Sequence, residues 1–207
     1  MTKTKNKYLA FASVLVSPLA AIGVSPAVAG TISHDFETGA PCVFVDTTPL
    51  TNLGDVTFTG VDGHGGSILN ECGGFSQTAL SGTDFYAWNT STGTGTTVDL
   101  EFGGLISSFS IFASWDGGST NSFLAEAFSI GDVLLDSMVF NPTNVDWGLM
   151  SLAASSINRV RLSFSGDCCV IYDDLTYTTA SVPEPGTLAL LGIGLFGMGL
   201  ARRSKKV

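Results

Sequence analysis

Apolar and polar residues alternate at every second position through the middle of this chain, a period that suits half-buried strands and not helices. Val98, Leu100 and Phe102 share one face, with Asp99 and Glu101 on the other. Phe109, Ile111 and Ala113 repeat the pattern, as do Val160, Leu162 and Phe164 with Arg161 and Ser163 outward. Val56 and Phe58 make a shorter run. Further strands are expected over 32–36, 85–88, 125–130, 133–137, 149–152 and 170–177. The stretches "GVDGHGGS", "NTSTGTGT", "WDGGSTNS" and "FNPTN" lie between them, and their Gly, Asn, Asp and Pro residues supply the backbone angles that reversals need. No helical period and no fixed-length repeat runs through the body. The fold class expected is all-β: an antiparallel β-sandwich of jelly-roll type.

The alternation stops at both ends. Lys3, Lys5 and Lys7 precede an apolar run from Tyr8 to Ala21, and "SPAVAG" closes it. Basic start, apolar middle and small-residue close are the three parts of a secretory signal, expected over 1–29 with cleavage after Ala29. Such a leader implies passage through the Sec translocon and removal by signal peptidase. The sandwich is then expected over 30–180, the size of one domain.

Charge narrows the partners of that domain. Between Gly30 and Ser181 stand seventeen acids against two cations, Arg159 and Arg161, a net charge of −15. Nucleic acid is excluded as a partner, because phosphate binding needs Lys and Arg on one face. Divalent cations fit better, since hard cations take oxygen ligands, although an acidic surface also serves solubility. Four cysteines, Cys42, Cys72, Cys168 and Cys169, enter an oxidising compartment behind such a leader. Cys42–Cys72 is the favoured disulfide; pairings that cross to Cys168 and Cys169 stay open. No ligand spacing for zinc is present.

Residues for catalysis are sparse. His34 stands beside Asp35, and His64 lies in a glycine-rich turn; neither is set against a nucleophile and a third orienting group. "GHGG" lacks the Lys and the helix of a phosphate loop. A glycan hydrolase needs two carboxylates at fixed separation, and seventeen acids offer pairs without a recognisable context. Acids at the two ends of the domain say more. The first strand carries "SHDFE", giving Asp35 and Glu37, and the last carries Asp173 and Asp174. If those strands are neighbours, the four carboxylates could gather around a structural calcium. Trp88 and Trp147 are expected in the core. Trp115, beside "DGG", is the candidate for stacking on a sugar ring. Asn89-Thr90-Ser91 is a formal glycosylation sequon.

The other end carries Pro183-Glu184-Pro185, an uncharged run Leu188–Ala201, and the cluster Arg202, Arg203, Lys205 and Lys206. A helix over 187–201 is expected to sit in the membrane. Its fourteen apolar or glycine residues, Leu188–Ala201, reach only about 21 Å of a roughly 30 Å hydrocarbon core. The basic cluster is a cytoplasmic stop, which leaves the body outside. Triplet, short helix and basic end, in that order, resemble the PEP-CTERM sorting signal of exported Gram-negative proteins. That resemblance implies recognition by exosortase, processing near the triplet, transient residence in the inner membrane, and association with exopolysaccharide and biofilm at the cell surface. More loosely, "HDFE", "DWGLMSLAA" and "YDDLTYT" resemble carbohydrate-binding-like jelly rolls. That likeness implies a calcium acid near each end, at Glu37 and at Asp173 or Asp174. The function expected is a non-enzymatic surface or matrix protein, with a carbohydrate-binding module and a glycan hydrolase as the alternatives.

Overall fold

Two long strands organise the domain. The computed structural model describes residues 29–44, 48–61, 65–88, 96–115, 122–143, 146–165, 170–181 and 194–195. The chain divides into two units, one of residues 28–182 and one of residues 1–27 with 183–207. In the first unit ten strands run in order: β1 Thr31–His34, β2 Asn52–Leu53, β3 Val56–Gly60, β4 Ser67–Asn70, β5 Asp84–Ala87, β6 Thr97–Trp115, β7 Ser122–Phe128, β8 Leu134–Phe140, β9 Gly148–Ser165 and β10 Val170–Thr179. All their pairings are antiparallel.

β6 and β9 pair along most of their length, and each belongs to two layers. The first half of β6 joins β3 on one side and the second half of β9 on the other, and β9 continues to β7 and β8. The second half of β6 joins β10 and the first half of β9; β10 carries β5 near its start and β1 near its end. The register slips where the strands turn the corner, between Glu101 and Ile106 and again before Ser108. "FGG" lies at that corner, where glycines let a strand bend sharply. Side chains from strands that share no hydrogen bonds then meet across the interior. Phe58 of β3 packs on Tyr86 of β5 at 5.2 Å, and Phe123 of β7 stands edge-on to Tyr172 of β10 at 5.9 Å. This is a β-sandwich closed by aromatic contacts between its layers.

The alternation read from sequence sets the two faces. Val98, Leu100, Ile111, Val160 and Leu162 are buried in the shared core. The runs at 98–102 and 109–113 are parts of one strand, as are those at 149–152 and 160–164, because a bulged corner interrupts the period without ending the strand. β2 and β4 were not expected; both are short and adjoin turn-like residues. Trp115 requires a correction. It is 5% exposed and lies in the core with Trp88, so its ring has no open face for a sugar. Trp147 packs on a second, smaller cluster of Leu69, Phe85, Ala87 and Ile171, outside the main core. The expected disulfide Cys42–Cys72 is present, with Cα atoms 5.2 Å apart.

Arg159 and Arg161 project from β9 toward Asp99 of β6, at 2.9 and 2.7 Å, and Arg159 also reaches Asp132 at 2.8 Å. Both guanidinium groups lie over the Phe128 ring. The outer strand β8 leaves Leu134, Leu135 and Val139 exposed. Its Asp136 and Met138 accept hydrogen bonds from Ala153 N and Ser151 N, and so cap the free edge of β9.

Of the second unit only Gly194 and Leu195 are described, and both are helical. Among the described residues no helix is long and apolar enough to cross a membrane. The expected signal peptide up to Val28, His64, the sequon at Asn89, Cys168, Cys169, the Pro183-Glu184-Pro185 triplet, the basic cluster and almost all of the 187–201 helix lie outside the described residues. Ala29 is described and exposed.

Candidate functional site

The outer face of the β10 layer is half covered and half open. Residues 71–83 fold over the end nearest β4 and β5, placing Phe75 and Ala79 on the small cluster, while the Trp147 indole N–H donates to Thr78 O at 3.1 Å. Carboxylates hold this cover down. Asp173 Oδ2 accepts from Leu80 N at 2.8 Å and Ser81 N at 3.2 Å, and its Oδ1 accepts from Asp174 N at 2.8 Å. Ser81 Oγ donates to Asp174 Oδ1 at 2.7 Å. Glu37 Oε1 accepts from Thr83 N and Asp84 N at 2.7 and 2.8 Å. Asp84 accepts from Thr38 N, Ala40 N and the Asn70 amide, and Glu71 accepts from Ala79 N.

β1 and β10 are neighbours, and Asp35 and Asp174 line one cleft, while Glu37 and Asp173 each bind backbone N–H groups of residues 80–84. A bulge in β10 between Asp173 and Thr176, with Asp174 at φ +49°, turns two successive carboxylates toward the same loop. Burial pushes the Asp173 carboxyl up to about 6, against the pull of its N–H donors. Asp84 goes the other way: burial raises it, but the donors from Ala40, Asn70 and Thr38 outweigh burial and hold it below its ordinary value. Backbone N–H groups thus occupy much of the oxygen surface that a calcium ion would need. Among the described residues no group of three or more His, Cys, Asp or Glu side chains is placed to hold a metal ion. The clip residues Asp84 and Glu71 escaped sequence reading, since a carboxylate that binds a distant backbone leaves no local pattern.

Beside the clipped cover the face is open. A cleft of about 360 Å³ is lined by Ser33, His34, Asp35, Ser110, Phe112, Asp174 and Thr176. The His34 ring packs against Gly54 and lies 6.0 Å from Tyr177. Short hydroxyl side chains form the floor. Ser33 stands opposite Thr176, and Thr176 opposite Ser110; Thr31, Thr178 and Ser108 make the next row. Ser33 Oγ and Thr176 Oγ1 are 3.1 Å apart, and Thr31 Oγ1 and Thr178 Oγ1 3.3 Å. The signal was present in the outward positions of "SSFS" and "LTYT", where Ser and Thr recur at every second residue.

The two ends of the domain lie together at the border of this face. Gly30 N donates to Thr179 Oγ1 at 2.9 Å, and Thr179 N to Gly30 O at 2.9 Å. Beyond Thr179 begins the tail, and the family model for the PEP-CTERM protein-sorting motif matches residues 181–206. The chain carries a PEP-CTERM sorting motif. The match takes in the triplet, the apolar run and the basic cluster, so the PEP-CTERM tail marks an exported protein directed to exosortase. A comparison with curated proteins finds no match. Among solved structures the chain is similar to an arabinose-bound α-L-arabinofuranosidase, at TM-score 0.42 and 11% identity over 66% of this chain. It spans only 25% of that enzyme. It is also similar to the C-terminal family 22 carbohydrate-binding module from Clostridium thermocellum, at TM-score 0.38 and 14% identity over 73% of this chain and 94% of the module. A xylan-binding domain from Paenibacillus barcinonensis is similar at TM-score 0.39 and 13% identity, over 73% of this chain and 95% of the domain.

Proposed function

We propose that this is a non-enzymatic surface or extracellular-matrix protein, held briefly in the inner membrane of a Gram-negative cell. Exosortase then processes it near Pro183-Glu184-Pro185, and the sandwich is left associated with exopolysaccharide. The observation that carries the reading is the three-part tail at residues 181–206 joined to a separately folded, disulfide-linked sandwich. Triplet, short apolar run and basic stop follow one another in sequence as in an address read in the membrane. The non-enzymatic part of the reading is supported by His34, which packs on Tyr177 and Gly54, and by Glu37 and Asp173, whose carboxylates accept backbone N–H bonds.

Replacing Pro183-Glu184-Pro185 by three alanines tests the sorting step. The expected outcome is a protein that keeps its tail mass and stays in the inner membrane; an unchanged mature mass and location would exclude exosortase processing at this motif. Turnover of a glycan library by the native protein, abolished by a single carboxylate change, would overturn the non-enzymatic reading.

A further inference from the structure

We infer that the open cleft between β1, β10 and β6 binds an uncharged stretch of polysaccharide and rejects acidic polysaccharide. This rests on the proposed role at the matrix and adds the site and the selectivity. The floor is a sheet face whose side chains are hydroxyls. Ser33, Thr176 and Ser110 are cross-strand neighbours, with Thr31, Thr178 and Ser108 in the adjoining row. Sheet geometry sets such groups on a grid of about 4.8 by about 6.7 Å. Each hydroxyl both donates and accepts, which matches the hydroxyls of a sugar chain and needs no fixed charge.

Phe112 lies on the same face and is half-buried, so part of its ring is available to the apolar face of a pyranose. Asp35 and Asp174 stand at the margin. Asp35 Oδ1 takes Glu37 N and Asp174 Oδ1 takes Ser81 Oγ, and among the described residues the second oxygen of each carboxylate has no bond. Those oxygens accept from sugar hydroxyls. At about 360 Å³ the cleft is at the small end of the ~300–1,000 Å³ range of ligand sites, the scale of a short length of glycan.

Selectivity follows from what faces the ligand. The only cations between Gly30 and Ser181 are Arg159 and Arg161, and both are paired with Asp99 on the other layer. A uronate or sulfate in the cleft meets two carboxylates, no cation and a body of net charge −15.

The test uses protein recovered from its own cells. Matrix polysaccharide from the same cells is split by anion exchange into neutral and acidic fractions. Each fraction is cast into a native gel containing EDTA, so that cation bridging cannot imitate binding. The neutral fraction is expected to retard the protein at least tenfold more strongly than the acidic one. Ser110→Lys and Phe112→Ala should each weaken retardation tenfold or more, and the exposed Asp35→Asn severalfold. Thr59→Lys, outward on β3 of the other layer, should leave it unchanged. Melting curves identify any variant that has lost its fold, and Asp35→Asn, which preserves shape, carries the test if the larger changes do not fold. No retardation by the neutral fraction, equal retardation by the acidic one, or equal loss on Thr59→Lys would each overturn the site. The sorting step is read separately, by mass and location, so failure of one leaves the other standing.

Discussion

Asp173 is buried, accepts three backbone N–H groups, and titrates near pH 6, above its ordinary 3.8. Between about pH 4 and about pH 6 the folded chain retains a proton there that the unfolded chain releases. This group's share of stability therefore falls as pH rises through that window. Urea midpoints at about pH 4 and about pH 7 measure it, and Asp173→Asn should remove that part of the slope. Asp84 has the opposite sign. Its carboxyl is held low, so its contribution is present at neutral pH and lost as pH falls below about 4. Asp84→Asn should cost about 1–3 kcal/mol at neutral pH and less in acid. Gly82 sits at φ +58°, and a Cβ there would run into the Glu37 carboxylate. Gly82→Ala should therefore lose about 2 kcal/mol, read as a fall in melting temperature. If the carboxylates act as backbone clips, calcium and chelator leave that temperature unchanged. A structural calcium clamp, the expectation from sequence, would raise it with the ion and lower it with chelator.

At the scale of elements, the disulfide ties the segment after β1 to the turn after β4, across 30 residues. Chain-entropy arguments put such a link at about 3.5 kcal/mol, so Cys42→Ser with Cys72→Ser should lower the urea midpoint accordingly. Trp115→Ala should behave as a core truncation, costing about 3–5 kcal/mol and leaving glycan retardation intact in any molecules that fold. The strands were legible because each layer has one wet face, which writes a period of two into the sequence. Their joining was not. The corner through Gly103 and Gly104 is set by pairing between residues some fifty positions apart, and local pattern carries nothing of that. Trp115 misled for a related reason: it sits beside turn-like residues at a strand end, and only the opposite layer buries it. The pairing of the first and last strands was legible, and with it the approach of Asp35 to Asp174. The partners of Glu37 and Asp173 were not, because backbone N–H groups of a distant loop have no side-chain signature.

The unit of residues 28–182 is a sandwich whose β10 layer has an outer face half covered and half open, with Gly30 and Thr179 side by side at its border. β10 is bonded on both sides, to β6 along one edge and to β5 and β1 along the other. Suppose the chain is tethered through the residues after Thr179 while a polymer pulls on the cleft. The load then runs along the axis of β10, between Thr176 and Thr179. Bonds on both edges of that strand bear it in shear, many at once, whereas a strand peeled from a free edge gives up its bonds singly. A tether at this strand makes the domain a mechanical link that resists a steady pull, and it leaves the covered loops on the opposite part of the face out of the line of force.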